Sequence, residues 1–161
     1  MKIDAKPVST NVEIESVNKE LLEAAIRWAQ DEHFRYLMNI SKTNVASWYE
    51  AVFHQPHNYY CSICFKGKVI GYIGLNNINT ESRTAEIVIA IGEQRYRNQG
   101  LGRKALCAFI KHIINVYPIE KIIAKTRKDN APSIALFSSS GFLRIDNRDQ
   151  QAAIFELRIR E

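Results

Sequence analysis

A glycine pair placed eight residues beyond a run of β-branched side chains constrains this chain more than any bulk property. In residues 89–106, I-A-I-G-E-Q-R-Y-R-N-Q-G-L-G-R-K-A-L, an apolar strand-like run stops near Ile91, a polar loop follows, and a helix opens through Gly100 and Gly102. Glycines let the backbone approach a ligand closely. The first N–H groups of a helix lack intrahelical partners and sit at the positive end of its dipole. Arg95, Arg97, Arg103 and Lys104 crowd the same turn. The segment therefore predicts an anion cradle of the size and sign that suits a pyrophosphate.

Spacing separates the patterns that share such glycines. A P-loop needs G-x-x-x-x-G-K-[ST], and the chain contains no Gly-Lys-Ser/Thr. Gly100-Leu101-Gly102-Arg103-Lys104-Ala105 matches G-x-G-x-x-[GA], but that dinucleotide fingerprint places its first glycine directly after the strand. Here eight residues intervene, and the acid near the expected downstream position, Glu120, precedes the next strand instead of ending it.

Arg97-Asn98-Gln99-Gly100-Leu101-Gly102 fits [RQ]-x-x-G-x-[GA], the pyrophosphate loop of the GNAT superfamily of N-acetyltransferases. About thirty residues downstream, residues 130–142, N-A-P-S-I-A-L-F-S-S-S-G-F, resemble that superfamily's second signature, N-x-x-[AS]-x-x-x-[YF]-x-x-x-G-F. The I-x-I-G lead-in and longer loop are similar to the branch that holds the ribosomal-protein N-terminal and amino-sugar acetyltransferases. The resemblance is strong over residues 58–159 and loose before them. It implies an α/β fold: a mixed, mostly antiparallel sheet of six to seven strands, splayed at its centre and flanked by about four helices.

Bulk properties fit one enzyme-sized domain spanning residues 1–161, within which the resemblance implies acceptor-side helices over about 17–57 and a cofactor-binding core over about 58–161. At 46% hydrophobic, 161 residues bury a sizeable core. No apolar run reaches the length of a membrane span, and the start, M-K-I-D-A-K-P-V-S-T, lacks a signal-peptide segment. Three cysteines suit a reducing compartment, so the expectation is a cytoplasmic protein, monomeric or homodimeric. Cys61 and Cys64, three apart in a strand-like run, point to opposite faces and read as buried thiols. His54-Gln55-Pro56-His57 reads as a polar loop, and no metal is expected. The net charge of +5 and pI near 9.2 gather around residues 95–104 without interleaved stacking aromatics, which argues against nucleic acid and a basic partner and toward acidic substrates.

Periodicity predicts a strand at Val12 and Ile14, then a helix through Leu21, Leu22, Ala25, Ile26 and Ala29. A second helix is expected from an N-cap at Thr43 through Phe53. Residues 59–65 and 69–75 flank Lys66-Gly67 as a hairpin, and residues 85–91 alternate as a third strand. A long helix over residues 101–117 carries Leu106, Phe109, Ile110, Ile113 and Ile114 as its apolar stripe, and Pro118 ends it. A strand over 121–126, a helix capped by Asn130, and strands over 142–145 and 153–159 complete the expected sheet.

The resemblance implies acetyl-CoA as acetyl donor and a primary amine, on a small molecule or a peptide N-terminus, as acceptor. It assigns donor binding to Arg97, Asn98, Gln99, Gly100, Leu101, Gly102 and Arg103, to backbone groups of Ile89, Ala90 and Ile91, and to Asn130, Ser133 and Phe137. Glu86, sharing a strand face with Val88 and Ala90, is the candidate base; the alternative is a half-solvated carboxylate paired with Arg83. Phe137 stands where relatives often carry a Tyr that protonates the leaving thiolate, and Phe has no proton to give. A thiol of ordinary pKa near 8.5 leaves tolerably without one, and Ser133 shares Phe137's face. The acceptor pocket wall is expected over residues 30–60, with Phe34, Tyr36, Trp48, Tyr49, Phe53, Tyr59 and Tyr60. The spacing of Trp48-Tyr49 after Ser41 resembles that of the amino-sugar-nucleotide acetyltransferases, a resemblance that implies an amino-sugar nucleotide or other small amine as acceptor. Two alternatives stay open: a protein N-terminus as acceptor, and a non-catalytic acyl-CoA-binding regulator that Phe137 favours and Glu86 opposes.

Overall fold

The computed structural model describes residues 11–41, 43–145 and 148–159; the polar N-terminal run of residues 1–10 lies outside them. Seven strands form one sheet in the order β1-β2-β3-β4-β5-β7-β6. They are β1 (Glu13–Ser16), β2 (Tyr59–Phe65), β3 (Lys68–Asn79), β4 (Thr84–Ile91), β5 (Lys121–Arg127), β6 (Leu143–Ile145) and β7 (Ala152–Arg158). Five helices accompany them: α1 (Lys19–Trp28), α2 (Glu32–Met38), α3 (Val45–Phe53), α4 (Leu101–Ile113) and α5 (Ala131–Ser139). All neighbouring strands are antiparallel except β4 and β5. A parallel pair cannot be joined by a tight turn, so the chain crosses over through α4.

The strand alternation sorts the core into two layers. On one face Ile63, Ile73, Leu75, Ile87, Ile122 and Phe155 meet Leu106, Phe109 and Ile113 of α4 and Phe137 of α5. On the other, Tyr60, Val69, Tyr72 and Ala90 meet Leu21 and Trp28 of α1, Phe34 of α2, and Tyr49 and Phe53 of α3. Cys61 and Cys64 are both buried and free, and they belong to opposite layers, as three-residue spacing in a strand requires. In the β2–β3 hairpin Lys66 and Gly67 both hold positive φ, 51° and 74°, the condition for a two-residue turn that matches strand twist.

Three expectations need correcting. The acceptor-side region contains an additional helix, α2, whose N-cap Asp31 accepts from the His33 N–H at 3.0 Å and whose C-cap Asn39 is left-handed. The following helix begins after Asn44 and not Thr43. Helix α4 ends at Ile113, four residues before Tyr117. Beyond it the bonding is mixed, with Asn115 N–H on His112 and Val116 N–H on Ile113 at three-residue spacing but Tyr117 N–H on Ile113 at four, and Ile114, 44% exposed, does not join the expected apolar stripe.

Candidate active site

The parallel pairing of β4 with β5 runs from Thr84↔Lys121 to Ile87↔Ala124 and stops. Residues 88–91 stay paired with β3 on their other side, and residues 125–127 stay paired with β7. The sheet is therefore split along its middle, opening a wedge between two strands that each keep one satisfied edge. A cleft of about 290 Å³ occupies this split. Its floor is Ile87, Val88 and Ile89 of β4 with Lys125, Thr126 and Arg127 of β5. Asn130, Ser133 and Phe137 of α5 and its cap form one wall; Leu37 and Met38 of α2, Trp48 and Val52 of α3, and Tyr60, Tyr72 and Asn76 form the other.

The polar groups of this cleft are few and placed. The Tyr60 hydroxyl donates to Asn76 Oδ1 at 2.6 Å. Burial raises its pKa far above the ordinary phenol value, outweighing that hydrogen bond, with the Glu86 charge adding to the rise. Tyr60 is thus a neutral donor at any physiological pH. The Tyr72 hydroxyl, fully desolvated, donates to the Met38 sulfur. Asn130 Oδ1 accepts from the Ser133 N–H at 3.3 Å, capping α5 as its sequence position predicts. Among the described residues, no Asp, Glu or His lines the cleft.

The glycine loop lies beyond the end of β4. Gly100 is the N-cap of α4 with φ 77°, and no side chain caps that helix. A Cβ at Gly100 would meet nothing within 4 Å, so the protein's own packing does not demand a small residue there. Leu101 is buried and anchors the helix start, while Arg103 and Lys104 are exposed and have no ion-pair partner among the described residues. The other cations of the loop hold the loop itself. Arg97 Nε donates to the Ile91 carbonyl at 2.9 Å and its Nη2 to the Gly92 carbonyl at 3.3 Å. Arg95 lies over the Tyr96 ring and its carbonyl accepts from the Gln99 side chain. Asn98 takes a positive φ of 61° at the exposed apex.

A clamp ties α1 to this loop. Glu93 Oε1 accepts from Arg27 Nη2 at 2.5 Å and from the Trp28 indole at 3.1 Å. Burial works to raise the Glu93 pKa, but those two hydrogen bonds and the charges of Arg27 and Arg95 bring it below the usual carboxylate range.

The expected site residues thus fall in two groups. Ile89, Asn130, Ser133 and Phe137 meet at the cleft. Residues 97–103 form the loop, with the Ile91 carbonyl already bonded to Arg97 and Ala90 buried on the acceptor-side layer. Phe137 is 3% exposed and packs on Phe142 and Phe155 at 5.2 and 5.8 Å, so most of its ring belongs to the core. Glu86 is exposed, outside the lining, and accepts from Asn77 Nδ2 at 3.3 Å. Arg83 does not pair with it but bonds Glu120 at 2.8 Å, because the β4–β5 register brings the two strand entrances together. Of the expected aromatic wall, Trp48 and Tyr60 reach the cleft while Phe34, Tyr49 and Phe53 fill the core. Sequence reasoning missed Asn76, Lys125 and Arg127.

A family model described as "Acetyltransferase (GNAT) domain" matches residues 11–143, reaching well into the region where the sequence motifs are silent. An N-acetyltransferase 9-like protein of Nematostella vectensis is 37% identical over 65 residues, 40% of this chain and 33% of that protein. The N-alpha-acetyltransferase RimI of Mycobacterium tuberculosis is 27% identical over 106 residues, 63% of this chain and 65% of RimI. The chain accordingly spans between a third and two thirds of the length of these curated relatives. In structure it superposes on RimL, a ribosomal L7/L12 alpha-N-protein acetyltransferase solved with coenzyme A, at TM-score 0.76 and 17% identity, covering 95% of this chain and 97% of that one. No helix among the described residues is long and apolar enough to cross a membrane. With a family match over most of its length, the split sheet and the glycine loop in their places, this chain belongs to the GNAT acetyltransferase family.

Proposed function

We propose that this protein transfers the acetyl group of acetyl-CoA to the α-amine of a polypeptide N-terminus. The residues fit the donor: an uncapped helix start behind a left-handed glycine, two cations on its first turn with no ion-pair partner among the described residues, and an open strand edge leading to the cleft. Residues 97–103 would hold the pyrophosphate, Ile89 would offer backbone groups to the amide-bearing arm, and Asn130, Ser133 and Phe137 would flank it. Bound acetyl-CoA supplies the activated acyl group.

The observation that carries the choice of acceptor is that, among the described residues, no carboxylate or imidazole lines the cleft. A lysine-like amine, with an ordinary pKa of about 10.4, needs a strong base there; an α-amine at about 7.7–8.0 has a neutral fraction larger by more than two orders of magnitude near neutral pH. Lys125 and Arg127 line the same cleft and lower an amine's pKa further by like-charge repulsion. The naming of RimI and RimL as N-terminal acetyltransferases supports the same reading. In the reaction the amine nitrogen forms the new C–N bond, the C–S bond breaks, and the sulfur leaves as thiolate. The proton lost by the amine passes through water to Glu86 at the cleft's edge. No Tyr stands at Phe137, so the thiolate is stabilised by solvent and the Ser133 hydroxyl.

Incubation with acetyl-CoA and a peptide carrying both a free N-terminus and an internal lysine tests the proposal. Tandem mass spectrometry is expected to place the acetyl group on the α-amine. Acetylation confined to lysine, to an amino sugar nucleotide or to a polyamine would refute it.

A further inference from the structure

Two cations line the cleft from β5, on the face that α2 packs over. Lys125 and Arg127 sit two apart on β5, in the segment beyond the last β4 partner. Both line the cleft, and no lining residue neutralises them. Their countercharges lie outside it: Lys125 Nζ is 3.6 Å from Asp149, and Arg127 Nε is 3.3 Å from Asp129. Both ion pairs are half exposed, so each exchanges for another carboxylate at little cost.

Arg127 is also held in a fixed attitude. Its guanidinium lies 4.2 Å from the centre of the Tyr36 ring, and its Nη2 donates to the Tyr36 hydroxyl, which itself donates to Asp129 at 3.2 Å. Tyr36 is 49% exposed, so the Arg127 contact is open to solvent. It belongs to α2, the helix that brings Leu37 and Met38 into the cleft. The pair therefore ties the floor of the cleft at Arg127 to helix α2. Two of the five guanidinium N–H donors are engaged there, which leaves others for a bidentate or end-on carboxylate contact.

We propose that Lys125 and Arg127, with Arg127 positioned by Tyr36, select N-termini that carry an acidic side chain within the first few residues. This rests on the N-terminal acceptor reading above. The same two charges repel polycationic amines and peptides that begin with lysine or arginine.

Matched peptides differing only in Glu, Gln or Lys at the second and third positions test this, with kcat and KM measured separately for each. The parent is expected to favour the Glu peptide over the Lys peptide by about tenfold in kcat/KM, chiefly through KM, with the ratio shrinking from about 0.05 M to about 0.5 M salt. The double variant Lys125→Gln/Arg127→Gln should bring the ratio toward one, Arg127→Lys should retain most of it, and Lys125→Glu/Arg127→Glu should invert it. Equal use of the three peptides by the parent, or a preference that survives in the double Gln variant, would overturn the proposal while leaving N-terminal acetylation intact. Failure of every peptide, with a small amine acetylated instead, would overturn both.

Discussion

Two glycines in this chain share one backbone state and differ only in what they face. Gly67 and Gly100 have φ of 74° and 77°, and a Cβ built on either meets nothing within 4 Å. Alanine at each position therefore carries the same penalty, the strain of a left-handed residue, about 1–2 kcal/mol, with no steric clash added. In the free protein the two variants should lose equal stability in urea titrations. Their response to acetyl-CoA should part. A ligand that binds only the folded state at one hundred times its Kd adds about 2.7 kcal/mol, and a tenfold weaker Kd cuts that to about 1.4 kcal/mol. Gly67→Ala, in the β2–β3 turn, should keep the full gain. Gly100→Ala puts a methyl group into the open space proposed for the ligand and should keep half or less. If acetyl-CoA stabilises both variants alike, the loop of residues 97–103 is not the cradle.

Glu86→Gln should lower kcat for peptide acetylation by about tenfold, short of the larger effects of an enclosed base because Glu86 is exposed, and should leave the acetyl-CoA KM unchanged; an unaltered pH–rate profile would make Glu86 structural. Phe137→Leu should cost about 1 kcal/mol of stability in denaturant as well as donor affinity, since the ring is buried on Phe142 and Phe155, and Phe137→Tyr should remain active. A parent silent on every amine alongside an active Phe137→Tyr variant would identify a regulator. Glu93, its carboxyl held below the ordinary range, contributes stability that is full above the unfolded value near 4.3 and is lost as pH falls through the lower folded value. The Tm difference between parent and Glu93→Gln should therefore be largest near neutrality and shrink below about pH 4, and a constant difference across that window would refute the clamp's ionic character.

What the sequence showed, and where it was silent, divides along local and non-local lines. Strands β2, β4 and β5 and the start of α4 were legible because alternation and glycine spacing are properties of adjacent residues. The seven residues of α2 were not. That helix buries one side chain, Phe34, so no apolar period builds up, and its evidence is the Asp31 cap and the left-handed Asn39. The far end of β3 was hidden by Asn76 and Asn77, poor strand formers; Asn77 takes φ 52° where the β3–β4 register shifts. The cleft was harder still. Lys125 and Arg127 read as two charges on an ordinary strand until the fold brings α2, about ninety residues earlier, over them. The splay itself is a pairing that ceases, and neither strand's own residues record where a neighbour departs.

That departure gives the sheet an internal seam. Along residues 88–91 the β5-facing backbone groups have no strand to bond, although edge strands β1 and β6 lie far away on the perimeter. Amide protons in such a seam trade with solvent at rates typical of a perimeter strand, in the middle of a molecule whose neighbouring strands are locked. On the proposed donor reading, an arm seated there would act as a removable eighth strand. Deuterium uptake at Ile89 and Ile91 should thus report occupancy directly, slowing when the seam is filled, while uptake in the β2–β3 ladder stays as it was.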